Sequence, residues 1–356
     1  MPGAGTIATV TRSAAPAGVL VSAFDSLLLD LDGVLYIGEA PVPHAAQALA
    51  QASADFAIKR AYITNNASRT PEQVVDVLAG VGVPAELSEI ITSAQVAAEF
   101  LAGRLAPGAR VLVVGGEGLE RALEANGLKP VRQLEDEPSA VVQGFHPNVG
   151  WRDLATAAAA VHRGLIWVAS NADMTIPMPQ GLAPGNGTLV AAVTAATGKT
   201  PVVVGKPNTP AIEAAIERLG SLRPLIIGDR LDTDIEAAAR AEVESLLVMT
   251  GVTDVRAVCA ADALHRPTYI CADLRGLALA YARPTTAGNR VELEGWVATW
   301  GSAGVALVSS GPDPIKGLRV FSRACWASAD SQGAELGDNN ATFDLLQAGI
   351  DKALVD

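Results

Sequence analysis

The sequence is poor in several things at once. Its 356 residues include three cysteines and four histidines, with 4% aromatic and 18% charged residues. Cys259, Cys271 and Cys325 are an odd number and none belongs to a CxxC pair. Neither a disulfide framework nor a zinc site is therefore expected, and a reducing, cytoplasmic setting fits better. His44, His146, His162 and His265 show no HExxH or paired-ligand spacing, so they read as surface or core histidines. No apolar run reaches the ~18 residues needed to span a bilayer. Residues 1–19 lack the basic start and apolar block of a signal peptide and read as an unstructured leader. Positive charge is short as well: 26 Lys and Arg against 38 Asp and Glu leave a net charge of −12. That excludes a sequence-independent grip on nucleic acid or on an anionic membrane. A chain this acidic handles a phosphate only by meeting its charge locally, with a metal ion, a lysine or a helix N-terminus. Lysine is scarce beside arginine, so each lysine is worth inspecting.

What remains is a chain that is 49% hydrophobic, long enough for two or three domains at roughly 100–200 residues each. The run FDSLLLDLD (24–32) is a short apolar stretch ending in acids, which predicts a buried parallel strand. Similar runs at 60–64, 111–114, 140–143, 166–169, 202–204, 224–227, 245–249 and 268–271 predict further strands. Helical stretches separate them at 119–126, 151–162 and 187–198, from Pro210 and near Thr233. Thr70-Pro71-Glu72-Gln73 and the Thr92/Gln95 pair have capping-box spacing and should start two more helices. Strands alternating with helices give an α/β fold with a mostly parallel sheet covered on both faces. Beyond Pro284 the texture changes. Strands are expected at 291–299, 304–309 and 318–324 with a helix at 341–354, making residues 285–356 a small accessory α+β unit. Trp296, Trp300 and Trp326 are expected in its core.

Two tempting motifs fail. Gly198-Lys199-Thr200 resembles the end of a P-loop, but Val193 stands where the loop needs a glycine, and the segment falls late in a predicted helix. Gly115-Gly116-Glu117-Gly118 lacks GxGxxG spacing and reads as a tight strand-to-helix turn.

One constellation survives. Asp30 and Asp32 leave a buried strand two residues apart, which puts both side chains on one side, roughly 6.5–7 Å apart, if the strand geometry continues. Thr64-Asn65-Asn66 follows a second strand, Gly205-Lys206-Pro207 a third, and Gly228-Asp229-Arg230 a fourth, with Asp234 opening the next helix. Carboxyl ends of strands in an open α/β sheet converge on one crevice. Turn chemistry explains each motif singly; jointly they bring acids, a hydroxyl and a cation to one place.

This set resembles the haloacid dehalogenase superfamily of phosphatases, whose motifs stand here as DLDGVLY (30–36), ITNN (63–66), GKP (205–207) and GDRLDTD (228–234). The runs DGVLYIGEAPVPHA and PGNG…VVVGKP are similar to the type IIA capped branch, which contains NagD-like and para-nitrophenyl phosphatases. The resemblance covers about residues 20–283. It implies a three-layer Rossmann-like core (20–104 and 199–283) with an inserted α/β cap (105–198) that selects substrate. It also implies a Mg²⁺-dependent phosphatase for a small phosphate monoester. The alanine- and arginine-rich composition and C-terminal extension resemble actinobacterial glycerol-3-phosphate phosphatases. Phosphoglycolate, a nucleotide monophosphate or pyridoxal phosphate are the alternative substrates; for the last, related enzymes place a histidine where this chain has Ile176.

On that resemblance Asp30 is the nucleophile, forming an aspartyl-phosphate, and Asp32 the general acid and base. Lys206 neutralises charge, while Thr64, Asn65 and Asn66 bind the phosphate. Mg²⁺ is held by Asp30, the Asp32 carbonyl and Asp229, with Asp234 behind them. Asn171 and Asp173, in the run ASNAD (169–173), match a cap loop that contacts substrate, or else shape the turn from cap to core. Asp32 argues against halide displacement, which uses no second acid; a mutase would reuse the same intermediate. A binding protein without catalysis needs a missing motif residue, and none is missing. For residues 285–356 the alternatives are packing against the core, formation of a homodimer, or a regulatory or acetyltransferase-like role.

Overall fold

The computed structural model describes residues 18–178, 181–332 and 338–355. Most of the expected leader, residues 1–17, lies outside them. The fold is α/β with parallel sheets, in two units: residues up to Arg60 with those from Ser221 onward, and residues 61–220 between them.

In the first unit the strands Tyr269–Cys271, Glu244–Val248, Pro224–Gly228 and Ser26–Leu29 lie side by side in that order. All are parallel, with Leu28 opposite Ile226 and Leu246 opposite Tyr269. Every residue of Ser26–Leu29 and Pro224–Gly228 is buried, because a parallel strand is covered on both faces and so tolerates no polar alternation. Asp30 and Asp229 are the first residues past two of these strands.

The C-terminal part of this unit adds an antiparallel sheet of Thr285–Ala287, Arg290–Leu293, Trp296–Gly301 and Gly304–Ser309, followed by helices Pro314–Gln332 and Asn340–Val355. The first of these helices corrects the strand expected at 318–324. Val320-Phe321 favours a strand locally, but burial recurs at Leu318, Phe321, Cys325 and Ser328, the helical period. Asp313 starts the turn by accepting from the Ile315 N–H at 3.0 Å, with Pro314 next to it.

Among the described residues, this region shares a core with the parallel sheet before it. Trp296, Phe321, Phe343, Leu346 and Ile350 share one buried cluster with Ile235, Leu247, Val258 and Ile270. Trp300 and Trp326 pack at its margin. Leu318, Phe321, Leu346 and Ile350 are fully buried, and each contributes about 1.5–3 kcal/mol by burial, against about 5–15 kcal/mol for a whole domain. A chain ending at Pro284 should therefore fail to give a soluble, cooperatively melting protein; a sharp thermal transition in that truncation would contradict the shared core.

The strand Lys59–Thr64, which enters the second unit at Ala61, pairs in parallel with Ile90–Thr92. Both expected capping boxes form: Thr70 with Gln73, and Thr92 with Gln95. A five-stranded parallel sheet follows in the order Val202–Val203, Ile166–Ala169, Ala140–Gln143, Arg110–Val114, Lys129–Val131. Helices Trp151–His162 and Asn186–Thr197 pack with it around Leu112, Val141, Trp167 and Val193. Gly115 and Gly116 form the turn between Arg110–Val114 and helix Glu117–Ala125, and Gly118 lies in the first turn of that helix. Lys199-Thr200 lies past the end of helix Asn186–Thr197, so the P-loop reading fails in space as well.

Candidate active site

The candidate residues fall into two groups, one in each unit. In the first, carboxylate oxygens of Asp30, Asp229 and Asp234 all lie within 4.8 Å of one another. Asp229 and Asp234 are buried, at 2% and 0% exposure, and Asp30 is half-buried. Asp234 sits in a single π turn, Leu231–Ile235, that leads into helix Glu236–Arg240, a local distortion often found at functional sites. Its carboxylate accepts from the Arg230 N–H at 3.2 Å.

The strand geometry assumed for Asp32 does not continue. The chain turns at once: Gly33 has φ +79° and its N–H donates to the Tyr36 carbonyl at 2.8 Å. Asp30 thereby faces the other acids while Asp32 is exposed. A Cβ at Gly33 would overlap the Asp229 carboxylate, so this position requires glycine on two counts.

The support of Asp229 was not foreseen. The segment 250–253 wraps it: the Val252 N–H donates to Oδ2 at 2.8 Å, the Thr253 hydroxyl to the Asp229 carbonyl at 2.5 Å, and the Thr250 hydroxyl to the Gly33 carbonyl at 2.5 Å. Gly251 lies so close that a Cβ would enter the carboxylate. Two threonines and a glycine directly after a buried strand were the available signal.

In the second unit Thr64 ends its strand buried, at 4% exposure. Its Oγ1 accepts from the Asn66 N–H at 3.0 Å, which leaves the hydroxyl proton to donate elsewhere. Asn66 closes a local turn, its Oδ1 accepting from the Ser68 N–H and hydroxyl at 2.9 and 2.7 Å. Asn65 acts as a clamp: Oδ1 accepts from the Lys206 N–H at 2.9 Å while Nδ2 donates to the Lys206 carbonyl at 3.1 Å. The same Nδ2 donates to the Asp173 carboxylate at 3.1 and 3.2 Å. The Asn171 side chain and the Ser93 hydroxyl both donate to the Asn65 carbonyl, at 2.7 and 2.6 Å. Asn171 and Asp173 are thus both hydrogen-bonded to Asn65, which holds the backbone of Lys206. Lys206 itself is 3% exposed and donates from Nζ to the Ile63 carbonyl at 3.4 Å.

Three clustered carboxylates are hard oxygen donors suited to Mg²⁺. Their oxygens lie close enough together for residues of this set to share one such ion.

The carboxylates at strand ends in the first unit suit a divalent metal ion, and the buried lysine and threonine hydroxyl in the second suit a phosphate. Comparison with known proteins agrees. Residues 27–129 match a family model described as haloacid dehalogenase-like hydrolase, and residues 203–277 a second, HAD-hydrolase-like model. The D-glycerol 3-phosphate phosphatase of Mycobacterium tuberculosis is 48% identical over 253 residues, covering 71% of this chain and 70% of that protein. An acid sugar phosphatase of Staphylococcus saprophyticus is 36% identical over 232 residues, covering 65% and 88%. The crystal structure of the M. tuberculosis glycerol phosphate phosphatase in complex with magnesium superimposes with a TM-score of 0.82 at 40% identity, covering 92% of this chain and 99% of that one. The chain belongs to the haloacid dehalogenase-like hydrolases. It is a phosphatase, and Mg²⁺ is its cofactor.

Proposed function

We propose that this phosphatase hydrolyses a small polyol phosphate, glycerol 3-phosphate first among them, through an aspartyl-phosphate on Asp30. The clustering of Asp30 with Asp229 and Asp234 supports this reading most directly. When bound, Mg²⁺ supplies the charge neutralisation that lets a carboxylate approach a phosphate dianion; Asp30, Asp229 and the Asp32 carbonyl hold it, with Asp234 beside them.

Asp30 attacks phosphorus in line, forming an O–P bond as the bond to the leaving alkoxide breaks. Asp32 gives the alkoxide its proton, then takes one from the water that cleaves the aspartyl-phosphate and frees inorganic phosphate. Lys206, with Thr64 and the Asn65 and Asn66 backbone, neutralises and positions the transferring oxygens. Residues 105–198 act as the cap that excludes water and selects the leaving group, within a catalytic core of 20–104 and 199–283. The acidic chain works in the cytoplasm on a free metabolite, without a nucleic-acid partner.

The relative's substrate and its 48% identity favour glycerol 3-phosphate over the alternatives. Phosphate release is to be measured on glycerol 3-phosphate, phosphoglycolate, AMP, UMP and pyridoxal phosphate, each with Mg²⁺ and with EDTA. The expected result is metal-dependent release with the highest kcat/KM on glycerol 3-phosphate. Preference for a nucleotide or for pyridoxal phosphate would sink the substrate assignment, and full turnover in EDTA the metal reading.

A further inference from the structure

The segment that wraps Asp229 does not end in solvent. Asp254 follows it and caps the six-residue helix Val255–Ala260, its Oδ1 accepting from the Ala257 N–H at 2.7 Å. First-turn N–H groups of a helix have no partner within the helix. Here the Val255 N–H finds one 92 residues away, donating to Oε1 of Gln347 on the C-terminal helix at 3.1 Å. Gln347 is oriented in turn by its own Nε2, which donates to Asp351 Oδ1 at 2.8 Å. At the other end of the short helix, Trp326 Nε1 donates to the Val258 carbonyl at 2.8 Å. In between, the Arg256 guanidinium bonds Asn340 and lies 4.6 Å over the Phe343 ring.

A helix of six residues is too short to hold its place by its own hydrogen bonds. Its position is imposed by what grips it, and here both C-terminal helices do. Asp254 alone, in extended backbone, joins this helix to the preceding 250–253 segment, whose N–H and hydroxyl fix the Asp229 carboxylate and carbonyl.

We propose that the C-terminal region is a positioning device for the metal site: Gln347, and secondarily Trp326, set the place of Asp229 through helix Val255–Ala260 and the segment 250–253. The proposal rests on the reading of Asp229 as a metal ligand. It gives residues 285–355 a part in catalysis that needs neither a second activity nor a second ligand. Gln347 is a positioning residue, several bonds removed from the reacting atoms.

The test is Mg²⁺ binding to the full-length protein by titration calorimetry, alongside the Mg²⁺ dependence of turnover. Partners directly behind a metal ligand change affinity about 10–100-fold, so one step further out Gln347→Ala should weaken Mg²⁺ about 3–10-fold. At saturating Mg²⁺ its kcat should stay within about twofold of wild type, the split expected when metal binding alone is impaired. The double variant Gln347→Glu with Asp351→Asn keeps an acceptor for Val255 and reverses the side-chain pair, and should restore wild-type affinity. Trp326→Phe, which keeps an aromatic ring but loses the indole Nε1–H, should weaken Mg²⁺ in the same direction. It also serves as the deciding variant if Gln347→Ala does not fold. A folded Gln347→Ala, or in its absence a folded Trp326→Phe, with wild-type Mg²⁺ affinity overturns the proposal. Asp229→Asn separates the two layers: if it binds Mg²⁺ as wild type does, the metal reading of Asp229 falls and the proposal with it. If Asp229→Asn has lost Mg²⁺ while Gln347→Ala binds normally, only the positioning role is wrong.

Discussion

Asp30→Asn should release phosphate from glycerol 3-phosphate more slowly than the wild-type enzyme by ~10⁴-fold or more, the scale seen when a nucleophile is removed. Asparagine has nearly the shape of aspartate, and the half-buried position at the end of Ser26–Leu29 accepts it without a cavity. What disappears is the anionic oxygen that forms the bond to phosphorus. One of three clustered carboxylates also disappears, so Mg²⁺ affinity should fall as well. Activity must therefore be read at Mg²⁺ concentrations raised until no further gain is seen. Circular dichroism and the melting transition should remain those of a folded protein. Near wild-type turnover under those conditions would remove Asp30 from the chemistry.

Lys206→Met should lower kcat by about 10²–10³-fold, the range for loss of one preorganised group that stabilises developing charge. Lys206 is buried, and an ammonium is withdrawn from water only at a cost that the rest of the structure must offset. Methionine keeps an unbranched stem of similar length, and the clamp from Asn65 engages only the backbone of residue 206, so the loop should hold its shape. Because an ammonium cannot ligate a cation, calorimetric Mg²⁺ affinity should fall far less than in Asp30→Asn. Arginine should not rescue it, since its planar fork differs in size and geometry from a point ammonium. The two variants thus separate metal binding from charge neutralisation. A Lys206→Met enzyme with normal kcat would assign the phosphate's charge balance to other residues.

Much of this protein is written in local chemistry. Buried strands are short apolar runs, helices start at Thr70 and Thr92 because a hydroxyl and a glutamine three residues on satisfy the same backbone groups, and the candidate catalytic residues stand directly after strands. These features depend on neighbours within a few residues, so a single sequence determined them: the α/β class, the strand ends and the motifs that place the chain in its family. Tertiary structure alone decided the rest. It turned Asp32 outward by closing the chain at Gly33, brought Asp234 into the group with Asp30, and spent the Asn65 side chain on Lys206 and Asp173 rather than on solvent. It made 314–332 a helix, and it linked Val255 to Gln347. The Asp30–Asp234 grouping, the Asn65 clamp and the Val255–Gln347 bond depend on which distant surfaces pack together, so the free energy that selects them is shared among residues tens to hundreds of positions apart and leaves no local pattern to read.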